Sequence, residues 1–220
     1  MRRETDRAVY VYALSSPGLP RRLSVLGRRL QCLAIGGIDA IVERSRTPGR
    51  SLEEIQFQHR LVGRLAARAP ALLPARFGSA VTEDALRSLV SERQGEIEQA
   101  LRLVRNCEQM TVRVFGPAEE AIGDHPESVS GTAYLTRRRE RTHQQPPEAG
   151  IIRRELGSLA KAERAETGQR GVRLVVYHLV ARRQVARYRR QAFVLHTLLS
   201  PYAVTVTGPW PVFAFAPELF

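Results

Sequence analysis

The chain has 220 residues, of which 43% are hydrophobic and 25% charged, with a formal net charge of +12. This balance is ordinary for a globular protein and argues against wholesale disorder. No apolar run approaches the roughly 18 to 20 residues that span a bilayer. The two cysteines, Cys32 and Cys107, lack the spacing of a zinc site or a disulfide framework. We therefore expect one large domain or two small ones, without metal or cofactor.

The N-terminus carries acidic residues beside its arginines and is followed by only a short apolar strand. It does not resemble a signal peptide, so we expect a cytoplasmic protein. The positive charge is spread over both halves of the chain and is almost entirely arginine. Nucleic acid, an acidic protein surface and simple solvation all remain open as its purpose.

The first half of the chain shows the patterns of strands followed by helices. In chain order it predicts a strand, a hairpin turning at Gly36-Gly37, a capped helix, a short extended segment and a long helix: Ala8–Ser15, Leu30–Ile35 with Ile38–Val42, Ser51–Pro70, Leu72–Thr82 and Thr82–Arg105. The inward face of the capped helix is predicted to hold Leu52, Ile55, Val62, Leu65 and Ala69.

The second half alternates strands with helices. It predicts a strand, an interrupted helical region, a strand, an amphipathic helix and a last strand: Cys107–Gly116, Gly131–Thr167, Gly171–Val180, Arg182–Ser200 and Tyr202–Gly208. The fold class is therefore α+β, with two small domains at 1–106 and 107–207. The second domain is expected to be a ferredoxin-like sheet with helices on one face. A tail at 208–220, rich in proline and aromatic residues, is expected to pack on the domains.

No motif for phosphate binding, metal ligation or nucleophilic catalysis is present, and the five histidines lack ligand spacing. We expect a protein that is not an enzyme. An alternative is an RNA-binding protein using a basic ferredoxin-like module, with Arg137–Arg141 touching phosphates, although the aromatic pair of an RNA-recognition strand is missing. Arg183, Arg187 and Arg190 form a stripe on one face of the amphipathic helix and are candidates to meet an acidic partner.

Three segments carry a family resemblance: LLPARFG (Leu72–Gly78), GTAYLTRR (Gly131–Arg138) and VTGPWPVFAFA (Val206–Ala216). Together and in this order they resemble the gas vesicle protein F/L family over nearly the whole chain. The family tends to have Pro, Tyr and Ser where this tail has Val212, Phe213 and Ala214. The resemblance implies an accessory role in assembling gas vesicles, with a modified ferredoxin-like second domain. Its implied partners are the small hydrophobic shell subunit, which it would hold soluble, and other accessory proteins, in the cytoplasm or at the gas vesicle.

The motif residues have two expected roles. A structural role is expected for Leu73, Pro74, Arg76, Phe77, Gly78, Gly131, Tyr134, Leu135, Gly208, Pro209 and Pro211. Arg76 is expected to pair with a carboxylate where the modules meet, with Glu108 as one candidate. Partner binding is expected for Trp210, Phe213, Phe215, Arg183, Arg187 and Arg190. The tail serves either as an intramolecular lock or as an anchor for the shell subunit. We favour a combination, in which Trp210 is buried and holds the tail while Phe213, Phe215 and Phe220 stay partly reachable.

Overall fold

A computed structural model describes residues 8–44, 49, 51–116, 146–169 and 171–219. These residues form two compact units, drawn from Met1–Glu108 with Trp210–Phe220 and from Gln109–Pro209. Each unit has its own hydrophobic core. The aromatic tail therefore belongs to the N-terminal unit, although it follows the last strand of the other. The predicted domain boundaries themselves stay a prediction.

The N-terminal unit consists of a six-stranded sheet and three helices among the residues that the structure describes. Its strands are β1 (Ala8–Ser15), β2 (Arg22–Val25), β3 (Arg28–Ile35), β4 (Ile38–Arg44), β5 (Leu72–Pro74) and β6 (Ala80–Thr82). Its helices are α1 (Leu52–Ala66), α2 (Glu83–Glu92) and α3 (Gln94–Val104). The sheet has the order β2-β3-β4-β1-β5, and β6 also pairs with β1.

Strand β1 is the centre of this sheet because its sequence, AVYVYALS, is apolar on both faces. Seven of its eight residues are buried, as expected for a strand covered on both sides. The predicted hairpin is confirmed: β3 pairs antiparallel with β4, and Ile35 faces Ile38 across the turn. Gly36 and Gly37 both have positive φ, 55° and 84°, which is the backbone that a two-residue primed turn requires.

Helix α1 begins as predicted, but its predicted inward face is only partly buried: Val62, Leu65 and Ala69 are buried, whereas Leu52 and Ile55 are not. The Ser51 hydroxyl accepts a hydrogen bond from the Glu54 backbone N–H at 3.3 Å, which caps the first turn. The buried residues of the helix are Gln58, Leu61, Val62 and Leu65. Leu52, at 68% exposure, and Ile55 lie on the surface, so their predicted inward position is wrong. Only the second half of the helix lies over the core.

The long helix predicted from Thr82 to Arg105 is in fact two helices. Arg93 separates them with φ −106° and ψ 20°, outside the helical region. Ser91 and Gly95 flank the break, and both are poor helix formers. The apolar periodicity continues across the break, which is why the sequence predicted a single helix: Leu86, Val90, Ile97 and Leu101 are all buried.

The second unit holds the four-stranded sheet β10-β7-β9-β8. Its elements are β7 (Cys107–Phe115), α4 (Pro147–Leu156), β8 (Ala160–Thr167), β9 (Val172–Ala181), α5 (Val185–Ala192), α6 (Leu195–Leu198) and β10 (Ala203–Trp210). Both sheets of the molecule are antiparallel, and the described fold is a mixture of α and β. The ferredoxin-like assignment, with helices on one face, stays a prediction.

Strand β8 corrects the sequence prediction, which placed a helix there. Its sequence, AKAERAET, consists mainly of good helix formers. Pairing with β9 overrides that propensity, as Arg164 faces Tyr177 and Ala165 faces Val176 in the ladder. The strand is at an edge of the sheet, where a charged composition is common.

The amphipathic helix near the C-terminus has the predicted buried face: Val185, Tyr188, Ala192, Leu195 and Leu199. It is divided into α5 and α6 because Phe193 and Val194 donate their N–H groups to carbonyls three residues back, which tightens the turn as in a 3₁₀ helix. Among the described residues, no helix is both long and apolar enough to cross a membrane.

Candidate functional site

The C-terminal tail is held on the N-terminal unit by one short turn. After β10, residues Phe213–Phe215 form a 3₁₀ turn. Val212 and Phe215 are buried, Phe215 to 4% exposure, whereas Trp210 remains 39% exposed. The prediction that Trp210 is buried while Phe215 stays reachable is therefore wrong. Proline explains the difference: Pro211 ends the strand after Trp210, so the chain turns and brings Phe215 inward.

His59 of α1 lies between the two exposed aromatic side chains of the tail. Its ring is 5.3 Å from the Trp210 ring in an edge-on arrangement and 5.6 Å from the Phe213 ring in a stacked one. Ile55 precedes His59 by one helical turn and Leu52 by two, so all three share a face of α1. We call Leu52, Ile55, His59, Trp210 and Phe213 the His59 surface.

The His59 surface is an exposed apolar face, and four of its five members are large hydrophobic residues that remain open to solvent. Large exposed apolar patches on folded proteins commonly mark binding sites. Sequence analysis missed Leu52, Ile55 and His59. Leu52 follows the N-cap directly, in the first turn, and that position was a signal that it could extend beyond the core.

Glu218 fastens the end of the tail. Its carboxylate pairs with the Arg76 guanidinium, and its backbone carbonyl accepts a hydrogen bond from Arg93 Nη1 at 2.6 Å. Arg93 also pairs with Glu96 at 2.7 Å. Arg76 thus pairs with a carboxylate, as expected, but its partner is Glu218 and not the candidate Glu108. These pairs are exposed to solvent, so each adds at most about 1 kcal/mol.

The LLPARFG motif joins β5 to the core of the same unit. The Tyr10 hydroxyl donates to Gln58 Oε1 and accepts from the Gly78 N–H at 3.0 Å. Gln58 Nε2 donates in turn to the Ala75 carbonyl at 3.3 Å. Leu73 and Pro74 are buried, Phe77 is half-buried and Arg76 is exposed. These contacts support the structural role proposed for the motif.

Gly208 and Pro209 lie in β10, at the edge of the second sheet. A Cβ at Gly208 would lie 2.7 Å from the Gln109 carbonyl oxygen, and its φ is 116°, so this position requires glycine. Pro209 lacks an N–H, which an edge strand tolerates. Gly131, Tyr134 and Leu135 of the second motif, Arg137–Arg141, and Phe220 of the tail lie outside the described residues.

The predicted arginine stripe is exposed on the second unit. Arg183 lies in the 3₁₀ turn before α5, and Arg187 and Arg190 lie on α5 itself. All three are exposed, and none forms an ion pair with another residue that the structure describes. The structure thus separates the predicted partner-binding residues into two groups, the tail aromatics on one unit and the arginines on the other.

A buried polar chain crosses the second unit. His178 Nδ1 lies 2.7 Å from the Tyr188 hydroxyl, and His178 Nε2 lies 3.0 Å from Glu163 Oε2. Glu163 Oε1 also accepts from Arg153 Nε at 3.0 Å. Burial lowers the pKa of His178, against the opposing effect of Glu163, and burial raises the pKa of Tyr188. At neutral pH the imidazole is therefore neutral, and the Tyr188 hydroxyl donates to Nδ1 while Nε2–H donates to Glu163.

Two opposing effects set the pKa of the Glu163 carboxyl group. Its burial would raise the pKa, but hydrogen bonds and charge from Arg153 and His178 outweigh this, so the pKa is lowered. His178 and Tyr188 are both fully buried, and a substrate cannot reach them. In the described part of the chain no three His, Cys, Asp or Glu side chains gather as a metal site. This chain of groups orders the interior of the unit.

The fold and surfaces define a class: a protein of mixed α and β structure with two antiparallel sheets, an exposed apolar face on one unit and an exposed cationic face on the other. The chain belongs to the family described as gas vesicle synthesis protein GvpL/GvpF, whose model matches residues 8–217. The resemblance given by the three sequence motifs is thereby confirmed. Comparison with curated protein sequences returns no match.

Two solved structures share the fold. One is the gas vesicle protein GvpF from Anabaena sp. PCC7120, with a TM-score of 0.73 and 14% identity over 96% of each chain. The other is GvpF from Microcystis aeruginosa, with a TM-score of 0.73, 11% identity and coverage of 96% of this chain and 99% of that one. At these identities the match establishes the fold of the whole chain and leaves the roles of single residues to local chemistry. Neither comparison supports the RNA-binding alternative.

Proposed function

We propose that this protein is an accessory factor of gas vesicle assembly that holds the small hydrophobic shell subunit on the His59 surface. Membership of the gas vesicle family supplies the biological setting. The observation that carries the proposal is the exposed apolar face formed by Leu52, Ile55, Trp210 and Phe213. We further propose that the protein acts in the cytoplasm, catalyses no reaction and also contacts other accessory proteins.

The chemistry of the shell subunit explains why such a surface would be useful. A subunit of a water-excluding shell must itself present a broad apolar face, which is an aggregation hazard in the free state. A partner that covers this face lowers the concentration of the exposed form. Covering about 500 Å² would contribute on the order of 12 kcal/mol gross. Association entropy offsets much of this, so the complex can remain reversible.

The His59 surface is preorganised for this role. The Phe213 ring stacks on His59 and the Trp210 ring meets it edge-on, while the buried Phe215 anchors the same segment. Rings that are already fixed lose little conformational entropy when they meet a partner. We therefore propose that Trp210 and Phe213 contact the shell subunit, whereas Phe215 supports them from the core and does not touch it.

The test compares single substitutions in the full-length chain. Phe213→Ala and Ile55→Glu should each weaken binding of the purified shell subunit about tenfold, which corresponds to about 1.4 kcal/mol. Phe193→Ala is the matched control, because Phe193 is an exposed phenylalanine on the other unit. It should leave binding unchanged. Circular dichroism establishes that each variant is folded.

Two results would overturn the proposal. One is wild-type affinity in both His59-surface variants while they remain folded. The other is an equal loss of affinity in Phe193→Ala, which would place the contact elsewhere or show that the binding is unspecific.

A further inference from the structure

The exposed side of α5 and α6 has two chemically different halves. Phe193 and Val194, which connect the helices, keep helical backbone angles of φ −61°, ψ −31° and φ −63°, ψ −24°. The helical spacing therefore continues from α5 into α6. At that spacing Val194 and Leu198 continue the line begun by the three arginines. We call Arg183, Arg187, Arg190, Val194 and Leu198 the α5–α6 stripe.

The first half of the α5–α6 stripe is positively charged, and the neighbouring sequence contains no acidic residue to neutralise that charge. Between Glu166 and Glu218 the chain contains seven arginines and no aspartate or glutamate. The three arginines of the stripe are exposed and pair with no carboxylate of the described residues. A patch of one sign attracts a partner of the opposite sign.

The second half of the stripe is apolar. Val194 and Leu198 are exposed, and Phe193 beside them has 77% of its surface open, the most of any large hydrophobic residue described. Phe193 also lines an open cavity of about 250 Å³, whose other walls are Arg189, Ala192, His196, Val206 and Gly208. None of the five stripe residues lines this cavity, which lies on the side of α5 and α6 that carries Arg189, Phe193 and His196. The apolar half of the stripe therefore consists of Val194 and Leu198.

Charge decides which partner fits. A second copy of this chain does not fit, because a two-fold interface would place the arginines against arginines or against Val194 and Leu198, and neither arrangement supplies a carboxylate. A partner with carboxylates opposite the arginines and apolar side chains opposite Val194 and Leu198 satisfies both halves. A helix meets this requirement most simply, since its side chains repeat at the same spacing as the stripe.

We propose that the α5–α6 stripe is a docking site for an acidic amphipathic helix of a protein partner. The line from Arg183 to Leu198 covers 15 residue steps, about 22 Å at 1.5 Å per residue. The partner helix would carry carboxylates along one half of its face and leucine-like side chains along the other. This site is separate from the His59 surface, and its failure would leave the shell-subunit proposal intact.

The probe is a designed, end-capped helical peptide of 18 residues, fluorescently labelled, with its glutamates on one half of a face and its leucines on the other half. A control peptide of identical composition interleaves the two. Anisotropy is measured with the full-length protein near physiological salt. The segregated peptide should bind about tenfold tighter than the interleaved one, because both peptides share the charge and only the first matches the stripe.

Protein variants identify the surface. The triple variant Arg183→Gln/Arg187→Gln/Arg190→Gln should lower the affinity for the segregated peptide about fivefold or more. The loss is moderate because each exposed ion pair contributes only a small part of the binding free energy. The double variant Val194→Ser/Leu198→Ser should lower the affinity for the segregated peptide by a similar factor, although it leaves the charge of the protein unchanged. Arg21→Gln/Arg22→Gln/Arg29→Gln removes three exposed arginines from the other unit and is the charge-matched control. It should change affinity less than about twofold.

Equal binding of the two peptides would overturn the proposal, as would equal losses in the stripe and control variants. Two further probes test other partners: phosphatidylcholine vesicles containing phosphatidylglycerol, and a single-stranded RNA 16-mer. Tighter binding of either than of the segregated peptide, lost in both stripe variants, would assign the stripe to a membrane surface or to RNA and refute the helix.

Discussion

The buried polar chain of the second unit makes a strong prediction for Tyr188→Phe. The Tyr188 hydroxyl is the hydrogen-bond donor to Nδ1 of His178, at 2.7 Å, and both residues are fully buried. Phenylalanine fills the same space, so the substitution leaves no cavity. It leaves an imidazole nitrogen with a lone pair, no donor and no access to water.

The imidazole cannot escape this cost by changing tautomer. Moving its proton to Nδ1 would turn the Nε2 lone pair toward the Glu163 carboxylate, 3.0 Å away, so two acceptors would face each other. An unsatisfied buried acceptor costs about 1–3 kcal/mol. With a urea m-value near 2 kcal/mol per M, a loss of about 2 kcal/mol lowers the unfolding midpoint by about 1 M.

Tyr177→Phe is the control, because Tyr177 lies beside His178 on β9 but donates to Glu166 near the surface, at 3.2 Å. That change should cost less than about 0.5 kcal/mol. Urea unfolding is followed by circular dichroism, and hydrogen exchange of the β8 and β9 amides localises the loss. Equal midpoints for the two variants would refute the view that the His178 chain is a fully satisfied buried network.

Two further predictions concern buried ionisable side chains of the same unit. Burial lowers the pKa of His178 below its ordinary 6.5, so its contribution to stability is fully present above that value and is lost as pH falls through the depressed folded pKa. The free energy of unfolding should therefore be lower at pH 5.5 than at pH 7.5, by up to about 1.4 kcal/mol per pH unit in the affected range. The urea midpoint should fall accordingly, and an unchanged or higher midpoint at pH 5.5 would contradict this. Glu148 and Arg173 form a buried pair at 3.0 Å, so Glu148→Gln should cost about 3–5 kcal/mol because it leaves a buried guanidinium facing a neutral amide. Glu155→Gln, in the more exposed Arg154–Glu155 pair, is its control, and equal effects of the two on the urea midpoint would count against the burial argument.

The sequence predicted those elements whose periodicity and local signals agree. The strand Ala8–Ser15 has the predicted bounds. The hairpin turns at Gly36-Gly37 as predicted, although its strands extend further, to Arg28 and Arg44. The Ser51 cap marks the start of α1. In each case the residues that specify the element lie next to one another, so no knowledge of distant contacts is needed.

The errors arise where distant contacts decide. Strand β8 is composed of helix formers and becomes a strand only through its ladder with β9. Strand β2 lies in a segment for which the sequence predicted no element, and it forms by pairing with β3. Short edge strands of this kind carry a weak pattern of their own.

The candidate site also combines features that local sequence signals predict with features that depend on distant contacts. The tail was singled out from its composition, but which of its aromatic rings face solvent depends on contacts from His59 and on the burial of Phe215. Arg76 was expected to find a carboxylate, and its partner proved to be Glu218, more than a hundred residues further along the chain. Pairing across such a separation has no signature in a single sequence.

The position of Phe215 connects stability to the proposed function. If the tail were loose, Trp210 and Phe213 would offer the same apolar groups, but ordering them would use up part of the binding free energy. Phe215 and Val212 are buried against the N-terminal unit. The conformational entropy of ordering the tail is therefore lost when the chain folds, and not again when a partner binds. Under the proposed function, the shell subunit would then meet rings already placed against His59. A low ordering cost would strengthen such a complex without a still larger apolar patch, which would promote self-association.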